Sequence, residues 1–187
     1  MGHGGTVIDE LTTDHREVEA IFGGIEALSP GDEKRKTYAD RATIELVRHS
    51  VAEEAYLYPA VRETVEGGDA LADKEMEDHA KAERLMKQLE GLQASDPEFD
   101  EKISALMDEI RSHVEDEEQN LFPRLRDAAT REQLDELGEK VRQAKQVAPT
   151  RPHPSAPKEP PANKILAPGA GMVDRARDLL SGRGRES

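Results

Sequence analysis

Apolar residues recur at three- and four-residue steps along most of the first 147 positions, the spacing of one helical face. Ile8, Leu11, Val18, Phe22 and Ile25 predict a helix over 7–28 that stops at Ser29-Pro30-Gly31-Asp32. Tyr38, Ala42, Leu46, Tyr56 and Ala60 predict a second over 33–64, with Pro59 inside it forcing a kink or an early end. Ala72, Ala82, Met86 and Leu89 predict a third over 70–92. Phe99, Ile103, Leu106, Ile110 and Leu121 predict a fourth over 97–126, opened by Asp96-Pro97. Thr130-Arg131-Glu132-Gln133 has the form of a capping box and opens a shorter fifth helix ending near Ala144. Six prolines between 149 and 161 then predict a stiff, extended linker over 148–163. Met172–Leu180 has an amphipathic pattern, and the final residues from Ser181 to Arg185 read as disordered.

Each of the four long stripes is interrupted by polar residues at positions that face inward. His15 lies on the first, His49 and Glu53 on the second, Glu75 and His79 on the third, His113 and Glu117 on the fourth. These interruptions repeat. His49-Ser50-Val51-Ala52-Glu53-Glu54-Ala55-Tyr56-Leu57-Tyr58-Pro59 returns 64 residues later as His113-Val114-Glu115-Asp116-Glu117-Glu118-Gln119-Asn120-Leu121-Phe122-Pro123. Asp14-His15 returns as Asp78-His79, and both histidine pairs are 34 residues apart. This is a duplicated helix pair. One pair cannot bury its stripes alone, whereas two pairs related by an approximate two-fold axis make an all-α, antiparallel four-helix bundle. Residues 1–147 are therefore expected to form the bundle with its short fifth helix. Residues 148–187 are expected to form a Pro-rich, largely disordered tail.

Charge sharpens this division. The chain carries a net −14, with 26 basic and 40 acidic residues. Residues 148–187 hold 7 basic and 4 acidic groups, which leaves 19 against 36 in the first 147. So acidic a domain is expected to repel nucleic acid and anionic membranes and to attract cations. Without cysteine, thiolate metal sites, disulfides and cysteine nucleophiles are excluded. No apolar run approaches a membrane span and no signal-peptide core is seen at the start, so a cytoplasmic location is expected.

Histidine and glutamate four apart share a helix face, with Cβ atoms about 5–6 Å apart. Four inward imidazoles, one per helix, and two inward carboxylates fit a two-metal centre. The mixed nitrogen and oxygen donors suit iron, with manganese and zinc as alternatives. A lone inward histidine is ordinarily a hydrogen-bonded core residue. Four related by one translation are hard to explain by packing, and burying them with two carboxylates and no ion leaves unpaired charge. His3 and His153 lie outside the stripes and read as non-ligands.

The order His15, His49-x3-Glu53, His79, His113-x3-Glu117, with Glu-Glu-x2-Leu-aromatic-Pro after each second histidine, resembles the hemerythrin-like (HHE cation-binding) domain over about residues 7–146. The resemblance implies an antiparallel four-helix bundle around a non-haem di-iron centre. His15, His49, His79 and His113 would be terminal ligands, and Glu53 and Glu117 the bridging carboxylates. Glutamate-x-x-histidine, the ferritin-like pattern, is absent. Oxygen carriers of the family have a fifth histidine where this chain has Glu75, whose repeat partner is Leu11. Glu75 is thus a candidate seventh ligand, or else a hydrogen-bond acceptor beside the site.

A carboxylate in place of an imidazole favours Fe(III) and so favours consuming peroxide over releasing O2. The expected function is catalase-like redox chemistry on hydrogen peroxide or O2. Tyr56 is the candidate catalytic residue, placed one turn past Glu53 to hydrogen-bond peroxide or relay an electron. The alternatives are a module that binds or senses O2, NO or iron without catalysis, with a tail that signals to an unidentified protein partner, and a scaffold with structural zinc. Glu54 and Glu118 point off the stripe and read as flanking or surface groups.

Overall fold

A computed structural model describes residues 4–184; His3 and Arg185, with their expected roles as non-ligand and disordered end, lie outside it. Every regular element among the described residues is helical. In chain order they are α1 (Val7–Glu26), α2 (Glu33–Ala52), a π turn (Glu53–Leu57), α3 (Tyr58–Thr64), α4 (Gly68–Glu90), α5 (Pro97–Asp116), a second π turn (Glu117–Leu121), α6 (Phe122–Ala128), α7 (Arg131–Val147) and α8 (Ala162–Ser181). Thr6 and Asp9 cap α1 reciprocally, as Thr130 and Gln133 cap α7.

The long helices pack as two antiparallel pairs. Asp14 meets His49 while the backbone of Gly24 meets the Tyr38 ring, so position falls along α1 as it rises along α2. Glu75 meets His113 and Lys81 approaches Glu109 in the α4–α5 pair. Phe22, Leu46, Met86, Phe99, Ile103 and Leu106 belong to one core drawn from all four helices. At the other end a second core joins Leu11, Leu57, Val61, Leu121 and Leu125 to Leu134, Leu137 and Val141 of α7. A layer of buried histidine and glutamate lies between the two cores.

Neither the second nor the fourth long helix simply kinks or ends at its proline. Each widens just before it. The Tyr58 N–H donates to the Glu53 carbonyl and the Phe122 N–H to that of Glu117, five residues back in both cases. Pro59 and Pro123 lack an N–H and crowd the carbonyl four residues behind, so one extra residue is taken into the turn and the helix resumes as α3 or α6. The 64-residue repeat thus extends to the π turns themselves.

The tail departs from expectation. Residues 148–161 cross the bundle surface and α8 is a twenty-residue helix, not a disordered end. Buried Asp174 accepts from the backbone N–H groups of Thr150 and Arg151 and pairs with His153 Nε2 at 2.8 Å. Arg151 bridges Glu90 and Asp178 at 2.7 Å each, Lys158 pairs with Glu83, and Arg183 pairs with Asp40. Gly171 sits where a Cβ would overlap the Val147 and Ala148 carbonyls. The basic tail neutralises an acidic bundle, a pairing that composition read one segment at a time does not reveal. No described helix is long and apolar enough to cross a membrane.

Candidate metal centre

His15, His49, Glu53, Glu75, His79, His113 and Glu117 come together in the buried polar layer, each at most 5% exposed. One helical turn separates His49 from Glu53, and His113 from Glu117, which places each pair on one inward face. Glu53 spans the two halves. Its Oε1 lies 3.1 Å from His49 Nε2 and its Oε2 lies 3.2 Å from His79 Nε2. Glu117 Oε2 lies 3.4 Å from His15 Nε2 and 3.6 Å from His113 Nε2. The ring pairs match, with His15 and His49 centroids 5.0 Å apart at 60° and His79 and His113 centroids 4.8 Å apart at 62°.

The outer nitrogens are oriented by carboxylates. His15 Nδ1 is 2.9 Å from Glu118, His49 Nδ1 is 3.1 Å from Asp14, and His79 Nδ1 is 3.2 Å from Glu54. His113 Nδ1 lies 2.7 Å from Glu75 Oε2. The hydrogen-bonded carboxylates behind His15, His49 and His79 set their tautomers and turn Nε2 toward the site. Of the two roles expected for Glu54 and Glu118, flanking or surface, both take the flanking one. Asp14 is held in turn by Lys145 at 2.5 Å from α7.

The donor set fits metal ions. His15 Nε2, His49 Nε2, both Glu53 oxygens and Glu117 Oε2 are buried without a hydrogen-bond partner. Buried polar atoms are rarely left so, and here they converge. His15, His49, Glu53 and Glu117 offer atoms within 4.8 Å of one another, as do Glu53, His79 and His113, and Glu75, His113 and Glu117. Glu53 and Glu117 are each shared between groups, as bridging carboxylates would be.

Without metal the same groups form ion pairs. Burial lowers the pKa of His49 and His79, but the attraction of carboxylates outweighs it. His49 is held well above 6.5 by Glu53 and Asp14, and His79 is raised to about 9 by Glu53 and Glu54. Burial raises Glu53, yet His49 and His79 hold it well below 4.5. His15 brings Glu118 down to about 2, with Arg16 assisting. For Glu75 burial prevails and its pKa rises.

Tyr56 is not in this layer. It is half-buried on the bundle surface, with Lys164 Nζ 4.1 Å from its ring centroid. Tyr58 is there instead, 1% exposed, its hydroxyl 3.0 Å from His79 Nε2 and donating to Glu117 Oε1 at 3.2 Å. The π turn explains the exchange. Five residues complete the turn that starts at Glu53, so Tyr58 and not Tyr56 or Leu57 returns to its side. Burial, and behind it the carboxylates of Glu117, Glu53, Glu75 and Glu54, push the Tyr58 pKa well above 10, so the phenol stays protonated. Phe122, its repeat partner, stacks on His15 at 5.8 Å without a hydroxyl. His153 is bound to Asp174, away from the cluster.

Comparison with known proteins finds hemerythrin-like relatives. The family model for the hemerythrin HHE cation binding domain matches residues 6–125. An uncharacterized hemerythrin-like protein of Schizosaccharomyces pombe is 26% identical over 175 residues, 93% of this chain and 86% of that one. A DNA nickase of Nostoc is 29% identical over 137 residues, 73% of this chain but 38% of the nickase. The crystal structure of a hemerythrin HHE cation binding domain-containing protein from Mycobacterium kansasii has the same fold, with a TM-score of 0.63 at 22% identity over 73% of this chain and 82% of that one.

Proposed function

This chain belongs to the hemerythrin HHE cation-binding family, and we propose that its cluster holds two non-haem iron ions and consumes hydrogen peroxide. His15 and His49 would hold one ion and His79 and His113 the other, with Glu53 and Glu117 between them and Glu75 at the His113 side. Bound iron supplies reversible electron exchange with small oxidants. The observation that carries the reading is the Tyr58 hydroxyl, a protonated donor set between His79 and Glu117 in a buried layer.

The chain's own groups suit such a reaction. The cavity bordered by the four histidines is only about 10 Å³, at the lower limit for one water, so the centre disfavours bulky molecules. The two apolar cores on either side limit water. Glu118, Asp14 and Glu54 hold three imidazoles in place. Tyr58 can donate its proton to an oxygen leaving as water and recover it from the next peroxide. Two hydrogen peroxide molecules give one O2 and two water, so no outside reductant is consumed.

Oxygen evolution from peroxide by the iron-loaded protein tests this. Activity that falls in Glu53→Ala with its iron, and in Tyr58→Phe with iron retained, supports it; no activity above that of Glu53→Ala overturns it. Reversible binding of O2, NO or iron is the second reading. It is favoured by Lys158, which joins the tail to Glu54 at 3.8 Å and so to His79. A spectrum that cycles with oxygenation and shows no peroxide turnover would select it, and zinc without iron in the isolated protein would select a structural role. The net charge of −14 argues against carrying over nucleic-acid chemistry from the nickase.

A further inference from the structure

The 64-residue repeat relates two faces of the bundle that end up differently covered. Between α1 and α5 a groove of about 390 Å³ opens over His15. Val18, Ile110 and Val114 line it, and the same three residues line the inner cavity beside His49, His79 and His113. His15 itself lines both spaces, and these three apolar side chains stand between the groove and the deeper histidines. Ion pairs frame the mouth, Arg16 with Glu118 at 2.6 Å and Arg111 with Glu19 at 2.8 Å.

The matching face lies between α2 and α4. Glu118 and Glu19 have Glu54 and Glu83 as their counterparts, but Arg16 and Arg111 are replaced by Ala80 and Val47, and Glu115 by Val51. The missing cation comes from the tail. Lys158 pairs with Glu83 and lies 3.8 Å from Glu54, doing there what Arg16 and Arg111 do opposite. Residues 149–170 cover Val47 and Val51 and leave a cavity of about 60 Å³. The rim is apolar where the tail lies on it and charged where it meets water, as burial of each requires.

We propose that the α1–α5 groove is the port by which small molecules reach the centre, that Val114 is its size filter, and that the C-terminal segment plugs the twin port. This rests on the reading of the cluster as an iron centre serving a small oxidant. Val114 is half-buried at the step from groove to cavity, whereas Val18 and Ile110 belong to the core. Molecules the size of hydrogen peroxide, O2 or azide would pass; a branched alkyl hydroperoxide would not.

The test is the rate at which azide binds the iron-loaded full-length protein, read from its charge-transfer band, beside peroxide consumption. Overpacking the throat with Val114→Phe is expected to slow azide association roughly tenfold while iron content holds. Adding Lys158→Glu, which frees the plug, is expected to restore much of that rate. Val114→Ala is expected to let tert-butyl hydroperoxide oxidise the centre roughly tenfold faster than in the unaltered protein. Azide association unchanged in Val114→Phe with full iron overturns the port. Should Val114→Phe not fold, the absence of any gain in Val114→Ala overturns it instead. If the azide rates respond as expected but the unaltered protein consumes no peroxide, the port stands and the peroxide reading falls.

Discussion

The half of the centre built on His15 and His49 and the half built on His79 and His113 descend from one 64-residue unit, and they match wherever metal would be held. Ring separations and angles agree closely, and Glu118 stands to His15 as Glu54 stands to His79. They differ one layer out. Leu11 fills the lower core, while its counterpart Glu75 reaches His113 Nδ1. Asp14 orients His49, while its counterpart Asp78 pairs with Lys74 and Lys81 and leaves that place to Glu75. Phe122 gives His15 an apolar wall, while Tyr58 gives His79 a hydroxyl. The histidines and the two shared glutamates are duplicated, and the groups that would move a proton or tune a potential are not. Chemistry is therefore expected on the His79–His113 side.

The largest effect should erase both halves together. Glu53→Ala removes the carboxylate whose two oxygens face His49 and His79, and bound iron per chain is expected to fall at least roughly tenfold, a loss of about 1.4 kcal/mol or more in binding; elemental analysis after desalting checks it. Iron retained at both positions would make Glu53 a bystander. Next, Tyr58→Phe makes the two walls alike. Peroxide-driven O2 evolution is expected to fall by about 10²-fold, the lower range for losing a proton donor, with iron content and fold unchanged. Phe122→Tyr alone should not compensate, and equal activity in Tyr58→Phe would return the hydroxyl to a packing role.

Glu75→Leu restores the residue found in the other half. Loss of a buried anion beside His113 should raise the Fe(III)/Fe(II) potential by about 60 mV, a tenfold change in relative affinity for one electron; spectroelectrochemical titration reads it. A potential that stays put would mean that Glu75 is protonated in the loaded protein. The smallest effect is shared by the halves. In the metal-free chain the carboxylates hold His49 well above 6.5 and His79 at about 9. Their charged forms stabilise the fold fully below pH 6.5, and that stability is lost as pH rises through the folded values. The melting temperature of the metal-free protein should therefore drop between pH 6.5 and 9, and that of the loaded protein should hold, since ligated imidazoles are already neutral. Parallel slopes for the two forms would remove the ion pairs from the account.

Helical periodicity carries a great deal here. A histidine on an apolar stripe is visible as an interruption, and His15, His49, Glu53, His79, His113 and Glu117 could be named because i and i+4 share a face in any helix. The doubling at 64 residues made one helix pair into a bundle, since neither pair buries its stripe alone. The chain therefore announced its helices and its candidate ligands through local geometry.

Three features depend on contacts that local geometry does not carry. Tyr58 rather than Tyr56 faces the centre because prolines at 59 and 123 widen the preceding turn to five residues, and constant helical periodicity misplaces everything beyond it. Leu-aromatic-Pro, present in both repeats, was the visible trace of that turn. Glu118 reaches His15 across 103 positions and Lys145 reaches Asp14 across 131, so the carboxylates behind the imidazoles exist only once the helices are packed. The tail read as linker and disorder because its prolines and charges have no partners of their own. Folded, it finds Glu83, Glu90 and Asp40 on the acidic bundle, and pairing between opposite charges on distant segments is what gives it a place.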